Sequence, residues 1–128
     1  MNIERVFKIT TTDCRSCATV FRYFLPELII TYSTQYFSLP VVKDSAIFVF
    51  KDLSAAEMFI STNRRYRDKW VVWEAEALNV RQKKMRLRVG MNFAKQFLDF
   101  WLRGKFGQNR ASHRYYVCDA LRLIKIVL

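Results

Sequence analysis

Residues Trp70 to Leu78 read Trp-Val-Val-Trp-Glu-Ala-Glu-Ala-Leu, and no other stretch constrains the fold as much. Side chains on a strand alternate between its faces, so the second half of this run sets Glu74 and Glu76 on one face and Ala75 and Ala77 on the other. A long strand of this kind needs neighbours, and the chain offers several. Arg5 to Thr11 alternates and is rich in β-branched residues. Leu28 to Thr34 reads as a second strand. Ala46 to Phe50 is a continuous apolar run, the pattern of a strand covered on both faces. Tyr115 to Leu128 closes the sequence as one strand or two, with Leu121, Leu123, Ile124, Ile126 and Val127 apolar.

Three helices are predicted between these strands. Asp13 is placed to cap a helix from Cys14 to Leu25, which Pro26 ends. Ser54-Ala-Ala-Glu57 has the form of a capping box, opening a helix to about Ser61 that turns Ala55, Met58 and Phe59 inward. Asn92 caps a helix from Phe93 to Arg103, closed by Gly104. The apolar residues of that last helix cover more than half its circumference, which suits a buried helix or an interface between copies of the chain. No internal repeat or linker divides the sequence. The expected architecture is one α+β domain over residues 1–128, a mixed or antiparallel sheet with two or three packed helices.

Composition removes several alternatives. Three Gly and two Pro in 128 residues are too few for a low-complexity chain, and three Cys too few for a disulfide scaffold. No apolar run approaches the roughly 18 residues of a membrane helix. The first residues lack the basic-then-apolar order of a signal peptide. The expectation is an intracellular, non-secreted protein with no membrane partner, in a host cytoplasm or a virion.

Charge is the most informative arithmetic. Residues 1–62 hold six basic and six acidic residues, whereas residues 63–128 hold sixteen basic and five acidic, so the whole net charge of +11 falls in the second half. Three basic clusters carry it, threaded with aromatics. The first is Arg64, Arg65, Arg67 and Lys69 with Tyr66 and Trp70. The second is Arg81, Lys83, Lys84, Arg86 and Arg88. The third is Lys105, Arg110 and Arg114 with Phe106, His113, Tyr115 and Tyr116. Lysine and arginine neutralise phosphates, and exposed aromatic rings stack on unpaired bases. No RNA-recognition, zinc-finger or helix-turn-helix signature is present, so base-specific reading has no support. The partner expected from this half is nucleic acid or an acidic protein surface.

Two further constellations bear on chemistry. Cys14 and Cys17 have ligand spacing, and His113 with Cys118 completes a four-ligand set for a structural zinc; the alternative is that Cys17 and Cys118 are small core residues and no cofactor is bound. Arg5 on the first strand, Ser33 and Thr34 at the end of the second, and Glu74 and Glu76 on a later strand resemble the motifs of arginine–serine–glutamate ADP-ribosyltransferases. In that family an Arg binds dinucleotide phosphates, a Ser-Thr-Ser triplet braces the nicotinamide ribose, and a Glu-x-Glu pair supplies the catalytic acid. The resemblance implies those roles for Arg5, Ser33, Thr34 and Glu76, with Glu74 first of the pair, although Gln35 stands in place of the second Ser.

A broader pattern runs through Tyr32-Ser-Thr, Pro40, Ile47 to Phe50, Lys51-Asp-Leu53, Ala56, Phe59 and Val72-Trp73-Glu74. It resembles small viral and phage proteins over roughly residues 30–78, and implies an accessory role without assigning catalytic residues. The functional expectation is therefore a small basic, non-enzymatic binding protein, viral accessory or anti-defence in character. It would grip nucleic acid, or a host complex that binds nucleic acid, through its C-terminal half. An ADP-ribosyltransferase-like enzyme and an oligomeric structural subunit using the 93–103 helix are the alternatives.

Overall fold

The structure, a computed structural model, describes residues 2–16, 29–41, 45–84 and 114–128. Within them the chain is α+β. Strand β1 (Ile3–Thr11) is followed by β2 (Ile47–Val49), helix α1 (Leu53–Thr62), a 3-10 helix (Arg64–Lys69), β3 (Trp70–Leu78), β4 (Arg81–Lys84), β5 (Arg114–Cys118) and β6 (Ala120–Ile126). All pairings between strands are antiparallel. They form two three-stranded sheets, ordered β1-β3-β6 and β2-β5-β4.

The two sheets are halves of one bent ladder. Leu78 faces Ala120 in the first sheet and Arg81 faces Val117 in the second, so one register runs through both and sets Asn79 opposite Asp119 at the bend. Asn79 adopts φ 56°, a left-handed conformation that asparagine tolerates better than most residues. Its amide Nδ2 donates to Asp119 Oδ2 at 3.0 Å, and Arg81 donates to Asp119 Oδ1 at 2.8 Å and to the Asn79 carbonyl at 3.0 Å. Backbone bonds continue across the corner, from Asp119 N to the Leu78 carbonyl and from Asn79 N to the Asn2 carbonyl. Lower on the ladder a bulge at Glu74/Ala75 leaves Ile124 without an opposite residue.

Strand β2 closes these pairings into a ring. It lies along β5, and the next residue, Phe50, exchanges both backbone hydrogen bonds with Phe7 of β1 at 2.8 Å. The interior holds Val6, Tyr32, Ile47, Val49, Trp73, Ala75, Ala77, Cys118, Leu121 and Leu123. A second cluster lies on the other face of the β1-β3-β6 sheet. Ala56 and Ile60 of α1 pack there on Ile9, Trp70 and Val72, with Phe7, Phe50, Phe59 and Tyr66 around them. Helix α1 covers only the Trp70–Val72 end of that face. This explains the pattern of β3: apolar on both faces where the helix lies, alternating where it does not.

Several sequence expectations are corrected. Residues 14–16 do not begin a helix: Arg15 and Ser16 make extended bridges to Thr31 and Thr10, and Cys14 turns with φ 66°. Asp13 instead ties this turn together, accepting from the Thr11 hydroxyl and from Arg15 Nε. Residues 29–34 are bridged rather than a regular strand; Tyr32 N bonds the Cys14 carbonyl and the Ser33 carbonyl accepts from Leu123 N. The cap of α1 is Asp52, which accepts from Ala55 N at 2.9 Å and from the Ser54 hydroxyl at 2.7 Å, so Ser54 braces the cap rather than being it. Ala56 and Ile60 are the buried residues of α1 and Phe59 packs beside them as expected, whereas Met58 is 70% exposed. The final segment, expected as one strand or two, is two, split at Asp119. The predicted helix at 93–103 and the segment 17–28 lie outside the described residues. No helix among the described residues is long and apolar enough to cross a membrane.

Leu121 is fully buried at the crossing of both sheets, whereas Ile126 is 56% exposed. Leu121→Ala is therefore expected to cost ~2–5 kcal/mol and Ile126→Ala less than ~0.5 kcal/mol. Denaturant unfolding of the two variants checks this, and equal costs would contradict the placement of the core.

Candidate nucleic-acid interface and the charged sheet face

The uncovered end of the β1-β3-β6 sheet is a lattice of opposite charges. Arg5 on β1 donates to Glu74 Oε1 on β3 at 2.7 Å, and Lys125 on β6 lies 3.6 Å from Glu74 Oε2. Glu76 accepts from Arg122 of β6, whose guanidinium lies over the Phe37 ring at 5.3 Å. The strand period causes this arrangement. Arg5, Glu74, Glu76 and Arg122 occupy positions facing away from the interior, and the register sets Arg5 against Glu76 and Glu76 against Arg122. Glu74 is mostly buried, with a side chain 16% exposed, and the Arg5 guanidinium holds its carboxyl below the usual range.

This face gathers the residues of the ADP-ribosyltransferase-like reading. Arg5, Glu74 and Glu76 meet, and Ser33 is bonded through its carbonyl to the far edge of β6, about 10 Å from β3 at two strand spacings. The contacts are structural in kind. Arg5 engages Glu74 in place of a phosphate, and each carboxylate is already neutralised by a cation. The Ser33 hydroxyl accepts from Gln35 N at 2.9 Å, as in a tight turn, and Thr34 is exposed.

Of the zinc set, Cys14 and Cys118 pack on the same interior cluster, while Cys17 and His113 lie outside the described residues. Burial pushes the Cys118 thiol up to about 12. Between the ordinary thiol value and that point the unfolded chain loses a proton that the native chain keeps, so this group makes stability fall as pH rises.

Lysine 8 is a residue that sequence reasoning did not single out. It alternates with Val6 and Thr10 on the interior face of β1, is 7% exposed, and donates from Nζ to the Phe48 carbonyl at 2.6 Å, with the Tyr32 ring 5.2 Å away. Beside it Trp73 Nε1 donates to Thr10 Oγ1 at 3.0 Å. The only signal in the sequence was a lysine at the core-facing position of an alternating strand.

The basic clusters divide. Arg81 is held at the Asn79–Asp119 corner, and Gln82 donates to the Tyr116 hydroxyl at 2.8 Å. Lys83, Lys84 and Arg114 lie on β4 and β5 by their backbone, and Arg86, Arg88, Lys105 and Arg110 lie outside the described residues. Arg64, Arg65, Arg67 and Lys69 sit together on the 3-10 helix, all exposed. Among the described side chains, the cations elsewhere are either buried, as Lys8 is, or ion-paired: Arg5 and Lys125 with Glu74, Arg15 with Asp13, Lys51 with Glu4, Arg81 with Asp119 and Arg122 with Glu76. No carboxylate among the described residues lies within ion-pair distance of the four on the 3-10 helix. The aromatics of that cluster are otherwise engaged: Trp70 is 5% exposed and stacks near Phe59 and Tyr66, and Arg65 lies over the Tyr66 ring at 5.3 Å. The aromatics expected to stack on bases therefore belong largely to the core here. The two ends of β3, with a basic helix before it and basic β4 beyond it, are about 27 Å apart at the strand rise.

Two measurements test this electrostatic account. Glu74, Asp119, Asp13 and Asp52 all sit below the ordinary carboxylate range, held there chiefly by hydrogen bonds from Arg5, Asn79, Thr11 and Ser54 respectively. The native chain then binds fewer protons than the unfolded one at acid pH, so their contribution is intact above ~4, the ordinary carboxylate value, and is lost as pH falls through the depressed values. The melting temperature is expected to drop on acidification below that point, with a shallower drop in Arg5→Met; superimposable acid limbs would contradict the Arg5–Glu74 link. In alkylation followed by peptide mapping at pH 8, native Cys118 is expected to remain unmodified and to react only on unfolding. Modification of native Cys118 would contradict its burial. No family model, curated protein or solved structure matches the chain, so the two resemblances in its motifs find no counterpart there.

Proposed function

We propose that this is a small basic binding protein that grips nucleic acid through phosphate contacts from Arg64, Arg65, Arg67 and Lys69. One observation carries the reading: among the described side chains, positive charge left without a carboxylate partner and open to solvent is confined to this six-residue helix. Arginine forks engage phosphate in bidentate fashion, and counterion release makes such contacts favourable. An acidic protein surface is the weaker fit. Protein interfaces centre on buried aromatic anchors, and the aromatics of this cluster pack inward on α1 and β3. An ADP-ribosyltransferase-like activity is also the weaker fit, because Arg5 is paired with Glu74 and Glu76 is paired with Arg122. With the resemblance to small viral and phage proteins, the reading supports an accessory role in which the protein competes with a host complex for nucleic acid.

Fluorescence anisotropy with a labelled DNA duplex, on protein stripped of co-purifying nucleic acid, tests the proposal. Four phosphate contacts predict a log–log salt slope of about −3.6. Replacing Arg64, Arg65, Arg67 and Lys69 by Ala together is expected to flatten the slope by that amount and leave the melting temperature close to that of the parent. Salt-insensitive binding, or a slope unchanged in the folded variant, would overturn it.

A further inference from the structure

The geometry of the same helix points to the form of nucleic acid it takes: we propose that Arg64–Lys69 docks on the backbone of a duplex, by charge alone, and discriminates against single strands. The inference rests on the nucleic-acid reading above and deepens it.

A 3-10 helix has three residues per turn and a rise of ~2.0 Å, so side chains three apart lie one above the other. Over Arg64–Lys69 this makes three stripes: Arg64 with Arg67, Arg65 with Asp68, and Tyr66 with Lys69. On the third stripe Tyr66 turns toward Trp70, with ring centroids 5.7 Å apart, while Lys69 is exposed. The only acid of the segment, Asp68, shares the stripe of Arg65. Arg64 and Arg67 are thereby left as a pair of guanidinium forks on a stripe with no acid, ~6 Å apart along the axis. Phosphates of one duplex strand rise ~3.4 Å each, so with the two axes parallel the pair spans about two phosphate steps of the same strand. Six residues exceed the usual length of a 3-10 run. Here Asn63 opens it, with its amide Nδ2 on the Phe59 carbonyl, and buried Trp70 ends it, so the stripe is fixed at both ends.

The selection for duplex follows from what the site lacks. Single strands are held by stacking their bases on exposed aromatic rings. At this cluster Trp70 is buried, Tyr66 is half-buried with Arg65 over its ring, and no other aromatic belongs to the segment. A surface of cations alone responds to phosphate density, which is greater in a duplex, at one charge per ~1.7 Å of axis. For four contacts the expected salt slopes are about −3.6 on duplex and −2.8 on single strand, so lowering salt tenfold widens the preference for duplex ~6-fold.

The test measures the intact protein by anisotropy against a 20-base-pair DNA duplex, the matching RNA duplex, their separate strands and oligo-dT of equal length, over a tenfold salt range. Either duplex binding more tightly than its own strands, with the gap widening about sixfold at low salt and only about 2.5-fold in Arg64→Ala/Arg67→Ala, supports the proposal. Oligo-dT or mixed single strands binding as tightly as duplex, with affinity still lost in that variant, overturns the duplex inference and leaves the nucleic-acid reading standing. Binding to every probe unchanged in the folded double variant, or no binding to any probe, overturns both. A melting curve of the variant separates loss of contacts from loss of fold.

Discussion

The structure depends on one antiparallel ladder kept in register through a bend. Strands β3–β4 and β5–β6 share that register on both sides of Asn79 and Asp119, so a slip at the corner would carry every side chain of both sheets to the wrong face. The corner has a left-handed Asn79, a carboxylate held by Asn79 and Arg81, and backbone bonds to Leu78 and Asn2. Downstream of it, Ala75, Ala77, Leu121 and Leu123 turn inward with Cys118, and Glu74, Glu76 and Arg122 turn outward. The ring that β2 and Phe50 close, and the helix-covered second cluster, both build on that ladder.

The distribution of charge follows from the same register. Strand pairing sets Arg5, Arg122 and Lys125 beside Glu74 and Glu76 and neutralises them in place. The cations of these pairs are exposed to water, which screens them and keeps each pair of modest worth. Their larger consequence is to remove that face from competition for anions. Arg81, basic in the sequence, is likewise absorbed by the corner. What stays unpaired among the described side chains is the 3-10 helix between α1 and β3, where consecutive basic residues outnumber the acid beside them and geometry turns Asp68 away from Arg64 and Arg67.

Much of this was legible in the sequence where period and burial agree. The bounds of β3 and the facing of Glu74, Glu76, Ala75 and Ala77 follow from alternation, and β1 and the 46–50 run were recognisable for the same reason. Caps were less legible: Asp52 and Ser54 both suit an N-cap, and only the backbone geometry shows that Asp52 takes the amide while Ser54 supports it. The helix start expected at Cys14 is not there because Thr11 and Arg15 engage the Asp13 carboxylate and close a turn instead; residues 17–25 of that expected helix lie outside the described residues. Net charge located the basic half, but long-range pairing decided which of its residues are free. No local pattern announces that Arg122 will meet Glu76 across 46 residues, or that Trp70 and Tyr66 will serve the core.

The central claim is that, among the described side chains, free positive charge is localised on the 3-10 helix while the sheet face is neutralised. Titrating 15N-labelled protein with a DNA duplex and following backbone amide shifts tests it most directly. The account predicts that, among the described residues, the largest shifts fall on Arg64 to Lys69 while the amides of Arg5, Glu74, Arg122 and Lys125 hold their positions. Shifts centred on β1, β3 and β6, with the 3-10 helix unmoved, would contradict it.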